Sequence, residues 1–414
     1  MSGISGLFNI FALFYVFKGL QVAIKVGREW YSLRQEPLTP AKKQLAESAS
    51  FFLAVPPAVL VHEFFHALAT WMFGGKIVDF GYGVFWGYVV PVGDFSPAQY
   101  WFIALAGTLG SLTFGAGLWF ALRHNSSSTF RYFGLRAFRF QIYFALLYYP
   151  ILSIFITEGS DWRIIYDFQA TPILSGLTAV IHLPILYLFW KTDRDGLFEQ
   201  PAFATVDEQT QFYAVENIAA LAPDDAQAQL QYIDALRRGG VSNKANQELK
   251  QFLKKHPESG IAHLELAMLL NAKNRAITKE AFTHAQQALT LGINPEAALV
   301  AHQLVGQYYL TTGRAMETIG EMDQALAMES KTAVSPDQRA NLLFLRGQAY
   351  RHQSQFMQAQ QDIESVTAIA RQSGDNNLLA RCENEMTVIA KHEKRPFTTT
   401  TPANQYEKEV MSDK

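Results

Sequence analysis

The sequence contains almost no cysteine and no excess of charge of either sign. Cys382 is the single cysteine among 414 residues, so an intrachain disulfide is impossible and a disulfide-stapled secreted scaffold is excluded. Lysine and arginine together number 35, against 37 acidic residues. This balance gives no basic footprint for nucleic acid, and we expect no nucleic-acid partner.

Charged residues are also absent from long stretches of the first half. Residues 95–122, 140–157 and 168–190 contain no Asp, Glu, Lys or Arg. Residues 48–75 contain only Glu63. Each run is near the ~20 residues that a helix needs to cross a bilayer, and tryptophans lie at the ends of several runs, as at membrane interfaces. The sequence therefore predicts a multi-pass protein of the lipid bilayer.

The distribution of basic residues predicts the orientation of these spans. Residues 25–43 contain five Lys or Arg and residues 123–139 contain four, and cytoplasmic segments accumulate such residues. Residues 1–24 form a further candidate span, which gives four to five spans and places the second half of the chain in the cytoplasm. The start of the chain is not an Arg-rich amphipathic segment, which favours a bacterial plasma membrane over an organelle.

The second half contains no tryptophan and shows helical periodicity. Positions where the first helix of a pair must pack closely recur at spacings of 34, 39 and 41 residues: Ile233, Ala267, Gly306 and Gly347. The pattern resembles the tetratricopeptide repeat over roughly residues 225–372. Its stacked helix pairs, or those of another α-solenoid, would offer a concave surface to a protein or peptide partner. The histidines of this half, such as His263 and His302, are interpreted as solvated.

Composition divides the chain into four parts. We predict a transmembrane domain over residues 1–195, a linker over 196–208, a helical repeat domain over 209–390 and a disordered tail over 391–414. The predicted fold class is all-α, a transmembrane helical bundle followed by a soluble α-solenoid. Residues 76–90 combine β-branched and aromatic residues with glycines, which indicates a short β segment between the second and third spans. An interfacial loop is the alternative there.

The second predicted span contains a His-Glu-x-x-His motif at residues 62–66. On a helix, His62 and His66 lie one turn apart on one face, so both imidazoles can bind one metal ion while Glu63 stands beside it. Zinc accepts such ligands tetrahedrally, and a catalytic site keeps one position for water, from which Glu63 could take a proton. An ionisable group inside a bilayer is costly, which favours a functional role.

A third protein ligand must then come from another span. Glu158 and Asp161 lie at the end of the fourth predicted span, and His182 lies within the fifth. The second and fourth spans run in the same direction, so Glu158 and Asp161 can meet His62 at a similar depth. A lone histidine such as His182 is more often a hydrogen-bonded packing residue.

These features together resemble the site-2 protease family of membrane-embedded zinc metalloproteases, over roughly residues 50–170. The motif lies in a hydrophobic helix and is followed by an Asp from a later span. Residues 106–110, Ala-Gly-Thr-Leu-Gly, resemble the small-residue start of the family's next helix. Residues 74–91 resemble the family's sheet-like segment, whose edge receives an extended substrate.

The resemblance implies an intramembrane zinc metalloendopeptidase that cleaves membrane-spanning proteins. His62, His66 and Asp161 would hold Zn²⁺, and Glu63 would be the general base and then the proton donor to the leaving amine. The repeat domain would bind a substrate or an adaptor protein in the cytoplasm.

The sequence departs from the family pattern at the third ligand. The family has Gly after this Asp, whereas Trp162 follows Asp161, so Glu158 stays in reserve. Members of the family can place an Asn near the third ligand to stabilise an oxyanion, but no Asn precedes Asp161 within residues 157–162, and Ser160 is the nearest polar residue. Trp162 favours the alternative function, a catalytically inactive membrane-anchored tetratricopeptide scaffold. A metal transporter is a weaker possibility, because the spans hold few further ionisable residues.

Overall fold

A computed structural model describes residues 2–155, 160–273 and 276–393. The chain folds as two compact units, residues 1–248 and 249–414. The candidate ligand Glu158 and the predicted tail beyond residue 393 lie outside the described residues.

Among the described residues of the first unit, the regular elements are helices and one hairpin. Its helices in chain order are α1 (Ser2–Arg28), α2 (Trp30–Leu33), α3 (Pro40–Phe52), α4 (Val55–Met72), α5 (Pro97–Leu122), α6 (Ser128–Tyr143), α7 (Tyr149–Phe155), α8 (Asp161–Ile165), α9 (Pro172–Arg194), α10 (Val206–Leu221), α11 (Ala226–Arg238) and the start of α12 (Ser242–Lys255). A π-helical turn, Phe144–Tyr148, joins α6 to α7.

Three helical stretches of the described residues are long and apolar enough to cross a membrane. They are Pro40–Met72, Pro97–Leu122 and Pro172–Arg194. They coincide with the second, third and fifth predicted spans. The fourth predicted span, residues 140–157, is not among them: its described part, residues 140–155, divides between α6, the π-helical turn and α7, and residues 156–157 lie outside the described residues. Helix α1, the first predicted span, is not among the three either.

The start of α5 follows directly from its sequence. Ser96 accepts a hydrogen bond from the Gln99 backbone and the Gln99 side chain accepts one from the Ser96 backbone, while Pro97 occupies the first turn. Further along, small residues let α5 approach α4 closely. A Cβ at Gly110 would lie 2.9 Å from the Val61 carbonyl oxygen. The close packing predicted for this segment is confirmed.

The predicted β segment is an antiparallel hairpin of β1 (Lys76–Tyr82) and β2 (Gly87–Val92). The pairing runs from Lys76 opposite Val92 to Tyr82 opposite Gly87, with a bulge between Ile77 and Asp79. The hairpin packs on α4. This confirms the predicted fold class, a helical bundle with a short β segment between its second and third apolar helices.

One face of the first unit gathers three segments that are distant in the chain. The backbone N–H of Ser128 donates to the Glu36 carboxylate at 2.6 Å, and the Gln209 side chain donates to it at 3.0 Å. Burial alone would raise the pKa of Glu36, but these hydrogen bonds lower it. The basic segments 25–43 and 123–139 therefore share one face with the beginning of the second half.

The segment predicted as a linker is packed within this unit. Phe198 and Phe203 are buried. The Glu199 carboxylate accepts a hydrogen bond from the backbone N–H of Asn243 at 2.9 Å, at the start of α12. The two compact units divide within α12.

The second unit is a series of helix pairs. Its helices are the rest of α12, α13 (Gly260–Lys273), α14 (Lys279–Leu291), α15 (Pro295–Thr311), α16 (Ala315–Ala327), α17 (Pro336–His352), α18 (Phe356–Ser373) and α19 (Asn376–Glu393). The small positions of the predicted repeat lie where paired helices touch. A Cβ at Gly306 would lie 2.4 Å from the Met322 side chain, and one at Gly347 would lie 3.0 Å from Ile363. The predicted helical repeat is confirmed as an architecture.

Two histidines of this unit differ from the sequence interpretation. His263 and His302, predicted to be solvated, are both buried, so that prediction is wrong. Each faces the second helix of its pair and finds a polar partner there. The His263 and His284 Nδ1 atoms are 2.8 Å apart, and His302 Nδ1 lies 2.7 Å from the Glu321 carboxylate. These partners satisfy the Nδ1 atom of each ring, and periodicity alone does not reveal them.

Candidate metal centre

Two helices bring three metal-ligating side chains to one point. Helix α4 carries His62 and His66, and Asp161 is the first residue of α8. The Nε2 atoms of His62 and His66 are 3.0 Å apart. Asp161 Oδ2 lies 3.1 Å from the first and 3.2 Å from the second. The three ligand atoms thus form a nearly equilateral triangle inside the first unit.

Helix α5 orients both imidazole rings. His66 Nδ1 lies 2.7 Å from the Ile103 carbonyl oxygen, which can only accept, so Nδ1 carries the proton and the Nε2 lone pair faces His62 and Asp161. His62 Nδ1 lies 3.1 Å from Ser111 Oγ. Such partners fix the orientation of metal-binding histidines. Sequence reasoning missed both.

A glycine of α5 leaves room for the three ligand atoms. A Cβ at Gly107 would lie 2.2 Å from His66 Nε2 and 2.7 Å from His62 Nε2. No larger residue fits there without displacing the rings. Ser111 lies one helical turn after Gly107, so a single face of α5 supplies both the space and a hydrogen-bond partner. The sequence alone explains this glycine by helix packing and does not reveal its second role.

The donor set and its spacing fit a zinc ion. Two imidazole nitrogens and one carboxylate oxygen are ligands that zinc takes. Bonds of about 2.0–2.1 Å in a tetrahedron separate neighbouring ligands by about 3.3 Å, close to the observed separations of 3.0, 3.1 and 3.2 Å. A tetrahedral ion held by three protein atoms keeps a fourth position for water or substrate.

Glu63 lies between the metal-binding histidines and the hairpin. Its side chain is buried, with 5% of the residue exposed. A Cβ at Gly87 would lie 2.8 Å from Glu63 Cγ and 3.0 Å from Oε1, so the first residue of β2 rests on this carboxylate. The hairpin therefore places its second strand directly beside the group predicted to act as a base.

The unexpected tryptophan after Asp161 has a structural role. Trp162 is buried and packs with Ala104 of α5 and with Ile165. The indole N–H of Trp101 donates to the Ile165 carbonyl at 3.2 Å. These contacts hold α8 against α5 while the preceding side chain, Asp161, points to the histidines. Trp162 is thus compatible with Asp161 as a ligand.

Two other candidates, His182 and Ser160, are directed elsewhere. His182 Nε2 donates to the Leu146 carbonyl at 2.6 Å, and the Tyr166 hydroxyl donates to His182 Nδ1 at 2.6 Å. Both nitrogens of His182 are used, and it lies outside the triangle. The Ser160 hydroxyl donates to Ser153 Oγ at 2.5 Å.

Comparison with known families gives one match in this region. Residues 56–158 match the family described as Peptidase M50B-like. The matched stretch covers α4, the hairpin, α5, α6 and the fourth predicted span. It supports the resemblance to the site-2 protease family that the motif suggests.

Comparison with solved structures gives similarities to the repeat. The MamA protein shares 15% sequence identity, with a TM-score of 0.32, over 41% of this chain and 86% of that protein. A thermophilic tetratricopeptide-repeat protein of Thermus thermophilus shares 19%, with a TM-score of 0.30, over 44% of this chain and 91% of that one. No curated protein gives a significant match.

Proposed function

We propose that the chain is an intramembrane zinc endopeptidase that cleaves membrane-spanning proteins. His62, His66 and Asp161 would be its zinc ligands. The observation that carries the proposal is the convergence of their three ligand atoms within 3.2 Å of one another. They lie in a unit whose described residues include three helical stretches long and apolar enough to span a bilayer. The family match over residues 56–158 supports a metalloprotease.

Glu63 is the proposed general base. A zinc ion bound by the triangle would lower the pKa of water and polarise the scissile carbonyl. Glu63 follows His62 on the same helix and would take the proton from the attacking water, then deliver it to the leaving amine. Because its side chain is buried, the proton would be handled with little access from bulk water.

The hairpin is the proposed substrate-positioning element. Peptide bonds of a transmembrane helix are sheltered by its hydrogen bonds, so the segment to be cut must become extended. An extended segment can pair with the free edge of a two-stranded sheet. Because β2 begins on Glu63, a strand added beside it would bring its backbone near this carboxylate.

The helical repeat is the proposed docking domain for a substrate or an adaptor protein. Stacked helix pairs form extended surfaces suited to such partners. The basic segments 25–43 and 123–139 lie on the same face of the first unit as residues 199–209, which favours a cytoplasmic repeat domain, in a bacterial plasma membrane.

The first test is the zinc content of the purified full chain in detergent. We expect about one zinc per wild-type chain and loss of zinc from His66→Ala and from Asp161→Ala. His124→Ala, which alters an exposed histidine, is the matched control and keeps the metal. A folded wild type without zinc, even after reconstitution, would favour the inactive scaffold.

The second test concerns Glu63. Membranes from cells expressing wild type are compared by mass spectrometry with membranes from cells expressing Glu63→Gln. We expect membrane-protein fragments in the first sample only, since loss of a general base slows such reactions by about 10²–10⁴-fold. Glu63→Gln should retain zinc and trap uncut substrate. Unchanged fragments with this variant would refute the mechanism.

A further inference from the structure

The π-helical turn before α7 determines where the next side chain points. A π turn inserts extra chain into a helix and so shifts the side chains that follow it, and such turns are frequent at functional sites. Its Leu146 carbonyl accepts the hydrogen bond from His182. Tyr149 is the first residue after the turn.

The Tyr149 side chain reaches the candidate metal centre. Its hydroxyl donates to Asp161 Oδ2 at 3.0 Å, the same oxygen that contacts both histidines. The ring stacks on Phe144, with centroids 6.2 Å apart, and meets the His62 ring edge-on at 5.9 Å. Contacts on two sides therefore fix the direction of the hydroxyl.

Asp161 needs such a partner more than the histidines do. His62 and His66 share a long helix and are oriented by α5, whereas Asp161 opens the five-residue helix α8. A carboxylate has two rotatable bonds and two equivalent oxygens, so either oxygen could face the histidines. A hydrogen bond to one oxygen selects a single orientation.

We infer that Tyr149 is a positioning residue for the third ligand: its hydroxyl holds Asp161 with Oδ2 directed at His62 and His66. The inference rests on the proposed zinc site. It assigns to this chain an outer partner for the carboxylate, comparable with Ile103 and Ser111 for the imidazoles. Loss of such a partner usually weakens metal binding by about 10–100-fold.

The test compares two neighbouring Tyr→Phe variants of the full chain. Tyr149→Phe removes the hydroxyl that contacts Asp161, while Tyr148→Phe removes the hydroxyl of an exposed ring. Zinc affinity is measured by competition with a chromophoric chelator, and the cobalt-substituted proteins are compared by visible absorption. We expect about 10–100-fold weaker zinc binding and an altered cobalt spectrum for Tyr149→Phe only. Equal affinities and spectra for the two variants would overturn the inference.

A double-mutant comparison separates positioning from general damage to the fold. The readout is the unfolding temperature of the zinc-free protein, because Asp161→Ala is expected to hold no zinc. If Tyr149 acts through Asp161, to which its hydroxyl donates, Tyr149→Phe lowers this temperature in the wild-type background and has no further effect in an Asp161→Ala background. A full additional decrease in that background would overturn the inference even if Tyr149→Phe alone binds zinc weakly. If the wild type bound no zinc, the proposed function would be overturned as well. If Tyr148→Phe and Tyr149→Phe bound zinc equally well, only the role of Tyr149 would be overturned and the proposed function would stand.

Discussion

At the scale of the residue, Gly107 leaves no room for one added carbon. Because Gly107 has no side chain, it leaves a space in front of the Nε2 atoms of His62 and His66. We predict that Gly107→Ala weakens zinc binding at least about 100-fold, because the new methyl group displaces the ligand atoms. Zinc content and affinity of the purified variant measure this.

The same helix offers the control. Nothing lies within 4 Å of a Cβ built at Gly117, so Gly117→Ala should bind zinc as wild type does. Normal zinc affinity in Gly107→Ala would contradict the proposed ligand set, since the rings would then have to lie elsewhere.

Individual site residues differ in how far the sequence reveals them. His62, Glu63 and His66 share one helix, so their spacing alone predicts that they are neighbours. Asp161 arrives from 95 residues beyond His66 and is predicted only through topology and family resemblance, with Glu158 as a rival. Tyr149 is not predicted at all, because nothing in an apolar run distinguishes one tyrosine from the next.

At the scale of the element, the π-helical turn is hydrogen-bonded to α9. The Leu146 carbonyl has its partner in His182 Nε2. His182→Phe leaves this carbonyl without that donor, and an unsatisfied buried polar group costs about 1–3 kcal/mol. We predict a lower unfolding temperature and weaker zinc binding, because Tyr149 follows the turn. Both are measured on the detergent-purified chain.

A second variant of α9 shows whether the effect is specific. Thr178 donates to the Leu174 carbonyl one turn back, at 2.9 Å. Thr178→Val removes a hydrogen bond from the same helix without touching the turn, and zinc affinity should stay unchanged. If His182→Phe and Thr178→Val weakened zinc binding equally, the effect would be a general response to substitutions in α9 and would not involve the turn.

The α13–α14 pair gives a prediction about pH. Burial, and then the nearby charge of protonated His263, lower the pKa of His284 below its ordinary 6.5. The unfolded chain therefore binds this proton more tightly than the folded chain does. The contribution of His284 to the free energy of unfolding is therefore fully present above about pH 6.5, the pKa of this histidine in the unfolded chain. It is lost progressively as the pH falls below that value.

Hydrogen exchange of α13 and α14 peptides between pH 8 and pH 5, corrected for intrinsic exchange, measures this decline in the full chain. His284→Phe should flatten the pH dependence, since the titrating group is gone. If wild type and His284→Phe showed the same pH dependence of protection from exchange, the acid sensitivity would belong to other groups.

Regular helices can be predicted where the hydrophobic periodicity and the composition of a segment agree. Irregular turns within a helix cannot be predicted in this way. Residues 97–122 are apolar throughout and form one helix, α5, as predicted. Residues 140–155 look equally regular in sequence, yet they contain a π-helical turn, Phe144–Tyr148, whose Leu146 carbonyl contacts His182, a partner distant in the chain. The repeat spacing predicts the helix pairs, while the partners of His263 and His302 require the packed structure.

At the scale of the whole molecule, the spans predict which segments face each side of the membrane. Asp94 and Ser126 are exposed residues that flank α5. In a Cys382→Ala background, we expect an impermeant maleimide to label Asp94→Cys on intact cells. Ser126→Cys and Asn376→Cys should react only after the cells are permeabilised, because the repeat domain is proposed to be cytoplasmic.

Asp94, Ser126 and Asn376 are all exposed, so burial would not explain a cysteine at one of these positions that fails to react with the maleimide. Labelling of Asn376→Cys together with Asp94→Cys on intact cells would place the repeat domain outside and reverse the predicted orientation. Labelling of Asp94→Cys and Ser126→Cys from one side would show that α5 does not cross the membrane.

The separation of the ligands along the chain also bears on biosynthesis. His62 and His66 leave the ribosome early, whereas Asp161 follows 99 and 95 residues later. A nascent chain therefore carries two of the three proposed ligands into the membrane well before the third exists. The proposed catalytic centre therefore lacks one of its three ligands in every nascent chain that ends before Asp161, and such a chain would be inactive as a protease.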